Sequence, residues 1–352
     1  VSLNNLRRDA QAIPCFNTAL EIDPGDVDAW VDKARSLGAL CGYEKGIKCC
    51  NKALKIDPLH VNAWISKAAS VISLQRYSEA IECYDKAIEI EPLNVNAWIG
   101  KAANLIYLEC NDKAIQCYDE ALKIEPLNVN AWIGKGLSLA GSERHTKAIK
   151  CYDRTLEIDP LRADAWVNKG ASFHSLERYE KAIHCFDKVL EIDPRDARAL
   201  GNKGVSLHDL NRYEEAIECY DKILEIDPRY SAAWISKGGS LDDLGRYEEA
   251  IKCYDEAIKI DPRYAAAWYN KGNSFSHSGR HEEAIGCYDK ALEIDPRLAT
   301  AWSNFGASLY NLGRYEEAVG YFDKALEIDP RNALAQKGKQ MALAEMALAK
   351  RR

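Results

Sequence analysis

Apolar and polar positions along the chain repeat every 34 residues. Trp30, Trp64, Trp98, Trp132, Trp166, Trp234, Trp268 and Trp302 mark the period, and Leu200 fills the one gap in the grid. A fixed period of this length is the signature of a stacked-repeat architecture and is read before any single element. Residues 231–264 serve as one unit. Trp234, Gly238, Leu241 and Leu244 recur at the three-to-four spacing of one helix face. Gly245 then ends that helix in the left-handed conformation that glycine tolerates. Ala250, Ile251, Tyr254, Ala257 and Ile258 form a second helical face. Asp261-Pro262 stops it, because proline disfavours the α-region in the residue before it. Each unit is therefore expected to be two antiparallel helices joined by a short turn. Of the eleven prolines, only Pro14 falls outside this punctuation.

The ends depart from the grid. Residues 1–26 align with the later part of a unit, which places Leu3 and Leu6 in first-helix core slots. Pro14 stands where other units carry a helical Lys or Glu, so a second helix is expected to begin there. The expectation is either a truncated first repeat, in a natural chain that is longer at this end, or a frayed one. Residues 27–332 hold nine complete units, and 333–352 replace the tryptophan with Gln336 and turn polar and basic. That last segment reads as a capping helix, which a solenoid needs over its final face. Met341, Leu343, Met346 and Leu348 leave apolar surface on it, a possible route to self-association.

Tryptophan, small residue, small residue, aromatic, small residue and proline at a 34-residue period resemble the tetratricopeptide repeat (TPR) pattern over residues 1 to about 332. The resemblance implies an all-α, right-handed superhelical solenoid of helix-turn-helix repeats. Two slots depart from it. Lysine (Lys237 and its equivalents in eight units) replaces the leucine before the glycine, and Leu241 or Phe275 stands where the first-helix tyrosine is usual. A lysine stem can lie along apolar surface while its ammonium reaches water, so neither change threatens the fold.

In that family a concave surface, lined chiefly by first helices, holds an extended or helical peptide of a partner. The column one residue after the tryptophan begins with Val31, Ile65, Ile99 and Ile133, and the column eight after it with Gly38, Ile72 and Ile106. Farther along, the same columns turn to His174, His208 and Asp242, so the groove is zoned from apolar to acidic and histidine-bearing. Two readings of the isoleucines stand side by side: packing between neighbouring first helices, and a strip that binds an apolar or amphipathic segment. The acidic zone would favour a polar or basic ligand, with affinity that falls as salt rises. Asn168, Asn202, Asn270 and Asn304 form a column two after the tryptophan. It is similar to the asparagine ladder of the TPR arms of O-linked N-acetylglucosamine transferases, and such a ladder can grip peptide backbone regardless of sequence. Bonding between helices, or plain exposure, is the alternative. The clamp for acidic chaperone tails is not matched, since its slots hold Ile65, Ala69, Ile99 and Ala103.

Composition narrows the field. The 352 residues are 47% hydrophobic and 29% charged with net charge −7, a balance that can bury a core and lacks the basic footprint of nucleic-acid binding. No apolar run is long enough to span a membrane, and the N-terminus lacks the order of a secretion signal. Nine of twelve cysteines lie on the grid, from Cys15 to Cys287. Stacked helix pairs at roughly 10 Å would hold them too far apart for disulfides or a metal. They are expected to be small semi-buried apolar residues in a reducing compartment, with cytosol the default. Cys41, Cys49, Cys50 and Cys110 stand out as candidate reactive thiols. The same spacing argument speaks against a metal at His174, His208 and Asp242. No phosphate loop, nucleophile elbow or zinc motif is present. The reading is therefore a cytoplasmic protein-interaction scaffold without catalysis, cofactor or metal, binding neither nucleic acid nor membrane. Its rivals are the recognition arm of a larger enzyme, glycosyltransferase-like, and a self-assembling rod.

Overall fold

The computed structural model describes residues 3–349, with side chains from Arg8 onward. The chain divides into two compact units, Val1–Leu176 and Glu177–Arg352. The first holds α1 (Leu3–Ile22), α2 (Val27–Ala39), α3 (Tyr43–Ile56), α4 (Val61–Ile72), α5 (Tyr77–Ile90), α6 (Val95–Tyr107), α7 (Asn111–Ile124), α8 (Val129–Ala140), α9 (His145–Ile158) and α10 (Ala163–Ser175). The second holds α11 (Tyr179–Ile192), α12 (Ala197–Asp209), α13 (Tyr213–Ile226), α14 (Ser231–Asp243), α15 (Tyr247–Ile260), α16 (Ala265–His277), α17 (His281–Ile294), α18 (Ala299–Asn311), α19 (Tyr315–Ile328) and α20 (Ala333–Ala349). No strand occurs among the described residues. Even-numbered helices are the first helices of the repeats. Within each unit every helix packs on its neighbour in sequence, and first helices also touch the next first helix, as in α2–α4 and α14–α16.

Two kinds of turn build each repeat. After a first helix the chain passes through one residue of positive φ, Gly245 (73°), Gly279 (78°) or Gly313 (75°) in the later repeats. In the earlier ones Gln75, Glu109, Glu143, Glu177 and Asn211 take the same conformation at 56–59° without being glycine. The second turn ends each odd helix at an acid before proline. Asp57, extended at φ −129°, ψ 96°, accepts the Leu59 N–H on its own carboxylate at 2.9 Å. In α2, α4, α6, α8 and α12 a side chain caps the next helix by accepting from the amide three residues on, as Asn94 accepts from the Ala97 N–H at 3.0 Å, whereas α10, α14, α16 and α18 have no such bond.

The tryptophans do more than fill space. Each indole Nε1 donates to the carbonyl of the proline six residues earlier, Trp98 to Pro92 and Trp302 to Pro296 at 2.9 Å. Gln336, which interrupts the tryptophan column, donates from Nε2 to the Pro330 carbonyl at 2.8 Å, so it keeps the bond while giving up the ring. The lysine column also has its cause. Lys135 Nζ reaches Asp119, on the second helix before it, at 2.6 Å and lies 5.4 Å from the Trp132 ring centre. Lys271 repeats this with Asp255 and Trp268. Where the lysine is lost, Phe305 replaces it and stacks at 4.0 Å on Tyr321, which itself stands in the cysteine slot.

The first repeat is not as the sequence led us to expect. A single helix, α1, runs through Pro14 instead of starting anew there. The slot that turns the chain at Asn211 holds Arg7, which offers no turn chemistry, so nothing ends the helix there. Pro14 is accommodated inside it at the loss of one backbone hydrogen bond and with its ring crowding the carbonyl four residues earlier. The side chains of Leu3 and Leu6 lie outside the described residues.

Candidate interaction face

The face in question is made by first helices, and its columns have distinct fates. The residue six after the tryptophan is buried throughout: Ser138, Ser206, Ser240 and Ser274 are 0% exposed and Asn104 2%. Their polar atoms turn back onto the carbonyl four residues earlier, as Ser138 Oγ does onto Gly134 at 2.9 Å. The residue five after the tryptophan faces out. Ala69, Ala171, Leu137 and Val205 are exposed there, the last two at 41% and 40%. Of these residues the sequence drew attention only to Ala69, as a clamp slot that does not match. The signal was available, because this column varies from Arg35 through alanine to Asn273 while the serine column beside it stays nearly constant.

The isoleucine strip divides. Ile65 and Ile72 are half-buried against a core cluster containing Ala68, Val71 and Tyr84, and Ile99 and Ile106 lie likewise against Leu105 and Tyr118. Ile133 does not face an open groove: it is 7% exposed and packs with Leu156 and Ala165. A residue one position after the tryptophan is turned toward the next second helix, so the apolar column serves packing first.

The polar zone is likewise engaged between helices. His208 on α12 lies 3.0 Å from Ser240 Oγ and 3.4 Å from Asp243 Oδ2, both on α14. Asp242 accepts the Tyr254 hydroxyl at 2.8 Å and the Ser274 hydroxyl of α16 at 2.6 Å. Burial pushes the Asp242 carboxyl above its ordinary value, while those hydroxyls and the His277 charge pull it down. Asn304 donates to Asn273 Oδ1 at 2.9 Å and to the Tyr269 hydroxyl at 3.2 Å, spanning α16 to α18. Asn168, Asn202 and Asn270 make no side-chain hydrogen bond among the described residues, and Asn202 is exposed. His174 is half-buried in the last turn of α10. Thus the asparagine column splits into a structural member, Asn304, and three without side-chain bonds, of which only Asn202 is exposed and Asn168 and Asn270 are half-buried. Among the described residues no group of three His, Cys, Asp or Glu side chains is placed to hold a metal.

Family models for the tetratricopeptide repeat match residues 61–92, 100–163, 163–196, 197–230, 236–299 and 299–332. The chain belongs to the tetratricopeptide repeat family. Its solenoid fold is shared with a tetratricopeptide repeat protein from Parabacteroides merdae, at 19% identity over 71% of this chain and 98% of that one, with a TM-score of 0.57. It is shared too with the APC/C hetero-tetramer Cut9–Hcn1, at 13% identity over 94% and 81%, TM-score 0.54. A further similar structure, YrrB, is described as a TPR protein with an unusual peptide-binding site; it is 25% identical over 53% of this chain and 95% of its own, TM-score 0.45. No curated protein matches the chain.

Nine cysteines of this TPR array are buried packing residues. All twelve are free thiols, and Cys49 and Cys50 are 6% and 0% exposed, which removes them from the candidate reactive set. Burial pushes Cys50 up to about 12 and Cys253 up to about 11. Cys15 and Cys41 are exposed, and Cys41 accepts the Tyr43 hydroxyl at 3.5 Å. No helix among the described residues is long and apolar enough to cross a membrane.

Proposed function

We propose that this TPR chain is a non-catalytic protein-interaction scaffold that holds a peptide segment of a partner protein along the outward columns of its first helices. The observation that carries the reading is the exposed column five after the tryptophan. Ala69, Leu137 and Ala171 in the first unit, and Val205 in the second, present small or apolar side chains to solvent, where core packing does not require them. A contiguous apolar patch on a protein surface marks an interaction site, and this column lies beside the partly exposed isoleucines of the same face. In the first unit the half-buried Ile65, Ile72, Ile99 and Ile106 form the walls of this face, and Ile133 supports it from the core. The second unit carries a polar stretch of its own, in which Asn202 and Asn270 offer partners to a peptide backbone and Asp243 and His277 favour a polar or basic segment. His174 and Asn168 lie where the two characters meet along the sequence. His208, Asp242 and Asn304 act as inter-repeat ties that keep the spacing of the face. The free thiols fit a reducing, cytoplasmic setting.

The test is selection of binders from a random peptide library displayed on phage, followed by hydrogen-exchange mapping on the intact chain. Protection is expected on α4, α8 and α10 of the first unit, and affinity should fall at least about tenfold for Leu137→Asp with helicity unchanged. Protection confined to the odd-numbered helices would refute the reading. A second reading, self-association through the capping helix α20, is supported by exposure of Leu334, Met341, Leu343 and Leu348. Sedimentation velocity of Leu343→Glu beside the parent chain tests it, and identical monomers would exclude it.

A further inference from the structure

The column eight residues after the tryptophan carries side chains that fill the space beside the next first helix. Ile72 and Ile106 lie against core clusters there, and His208 and Asp242 reach Ser240 and Ser274 on the following first helix. Gly38 has the same place in the first complete repeat and brings no side chain. A cavity of about 350 Å³ opens between α2 and α4, walled by Ala34, Gly38, Tyr43, Ile65 and Ala69. A Cβ built on Gly38 would meet nothing nearer than Ser70 Oγ at 4.0 Å, so backbone does not close the space.

We infer that this cavity is the anchor pocket of the scaffold, receiving one leucine- or isoleucine-sized side chain of the bound segment, with a neighbouring carboxylate of that segment held by Arg35. The inference rests on the scaffold reading and deepens it. The occupant's size follows from the array itself, since the next two repeats put isoleucine in the slot that Gly38 vacates. Its apolar character follows from the lining. Two of the three pocket serines are spent on their own helix, Ser70 Oγ on the Ser66 carbonyl at 3.3 Å and Ser73 Oγ on Ala69 at 3.2 Å, and the third, Ser66, is buried and accepts from Arg35. Its acidic neighbour follows from Arg35, a charged side chain in a column that is otherwise uncharged. Arg35 is 58% exposed and borders the cavity. It gives one N–H to Asp32 at 3.2 Å and one to Ser66 Oγ at 3.4 Å. A guanidinium has five donors in a fork suited to carboxylates, so capacity remains.

The experiment titrates the full chain, carrying ¹³C-labelled Ile and Ala methyls, with N-acetyl-Leu-Glu-methylamide. The Ala-Glu and Leu-Gln analogues are run beside it. Saturable shifts at the Ile65 and Ala69 methyls are expected, weaker by at least about tenfold for Ala-Glu and clearly weaker for Leu-Gln. Gly38→Ile fills the pocket with the residue its neighbours use and should abolish the shifts while its melting temperature is kept or raised. Arg35→Gln provides an independent variant and should erase the difference between Leu-Glu and Leu-Gln. Equal binding to Gly38→Ile, shifts away from α2 and α4, or no saturable shift at all would overturn the inference. Library peptides that protect the first-helix face yet bind Gly38→Ile as well as the parent would also overturn it, and would leave the scaffold reading standing.

Discussion

Gly238 and Gly239 are neighbours in α14, identical in sequence and opposite in what surrounds them. A Cβ at Gly238 would lie 2.6 Å from Tyr254 Cε1 and 2.8 Å from Cζ, while one at Gly239 would meet nothing within 4 Å. The ring cannot swing away cheaply. Tyr254 is 1% exposed and its hydroxyl is tied to Asp242 at 2.8 Å, which in turn holds Ser274 on α16. Alanine in place of glycine inside a helix is favourable by about 1 kcal/mol. Overpacking a tight core costs about 1–3 kcal/mol. Gly239→Ala should therefore gain about 1 kcal/mol, and Gly238→Ala should lose up to about 2 kcal/mol once the same propensity gain is set against the clash. Urea unfolding followed by far-UV circular dichroism compares them. Hydrogen exchange over α14–α16 should accompany it, because repeat arrays need not unfold in two states. If both variants shift stability in the same direction, the packing argument fails.

Other consequences can be checked in the same way. Burial raises the Asp242 carboxyl, so its contribution to stability is present below about pH 4, the ordinary range of an aspartate, and is lost as pH climbs through the raised folded value. Asp242→Asn should consequently gain on the parent chain as pH rises from that point, and a melting-temperature difference independent of pH would refute this. Ellman's reagent should label exposed Cys15 and Cys41 quickly and half-buried Cys110 more slowly, with the remaining thiols appearing only on unfolding. Trp132→Phe and Gln336→Leu both remove a donor to a proline carbonyl. Each should cost about 0.5–1.5 kcal/mol by chemical denaturation, and a loss in the tryptophan variant alone would mean that only the ring matters. Glu109 sits at φ 57° in a turn where later repeats use glycine, so Glu109→Gly should stabilise the chain by a few tenths to about 1 kcal/mol.

The period and the two faces per unit sufficed to place every helix from α2 to α19, because helical periodicity and proline stops act over one or two turns. Family membership was legible for the same reason. The glycine turn was foreseen at Gly245, but not that Glu109 and Glu143 adopt the same φ, since the fold there overrides local preference. Which columns are free was decided only by the stacking of helices. Ile133 and Ile65 share a slot and differ in burial. Asn304 is committed to Asn273 and Tyr269 while Asn202 remains open. Gln336, read from sequence as a lost tryptophan, keeps that residue's hydrogen bond. Gly38 and Gly239 look alike in a sequence, yet one borders a cavity and the other open solvent. These are contacts between residues of different helices, and their distances depend on how one helix pair sits on the next. A local pattern fixes where a side chain lies on its own helix; only packing against the neighbouring repeat fixes what it meets.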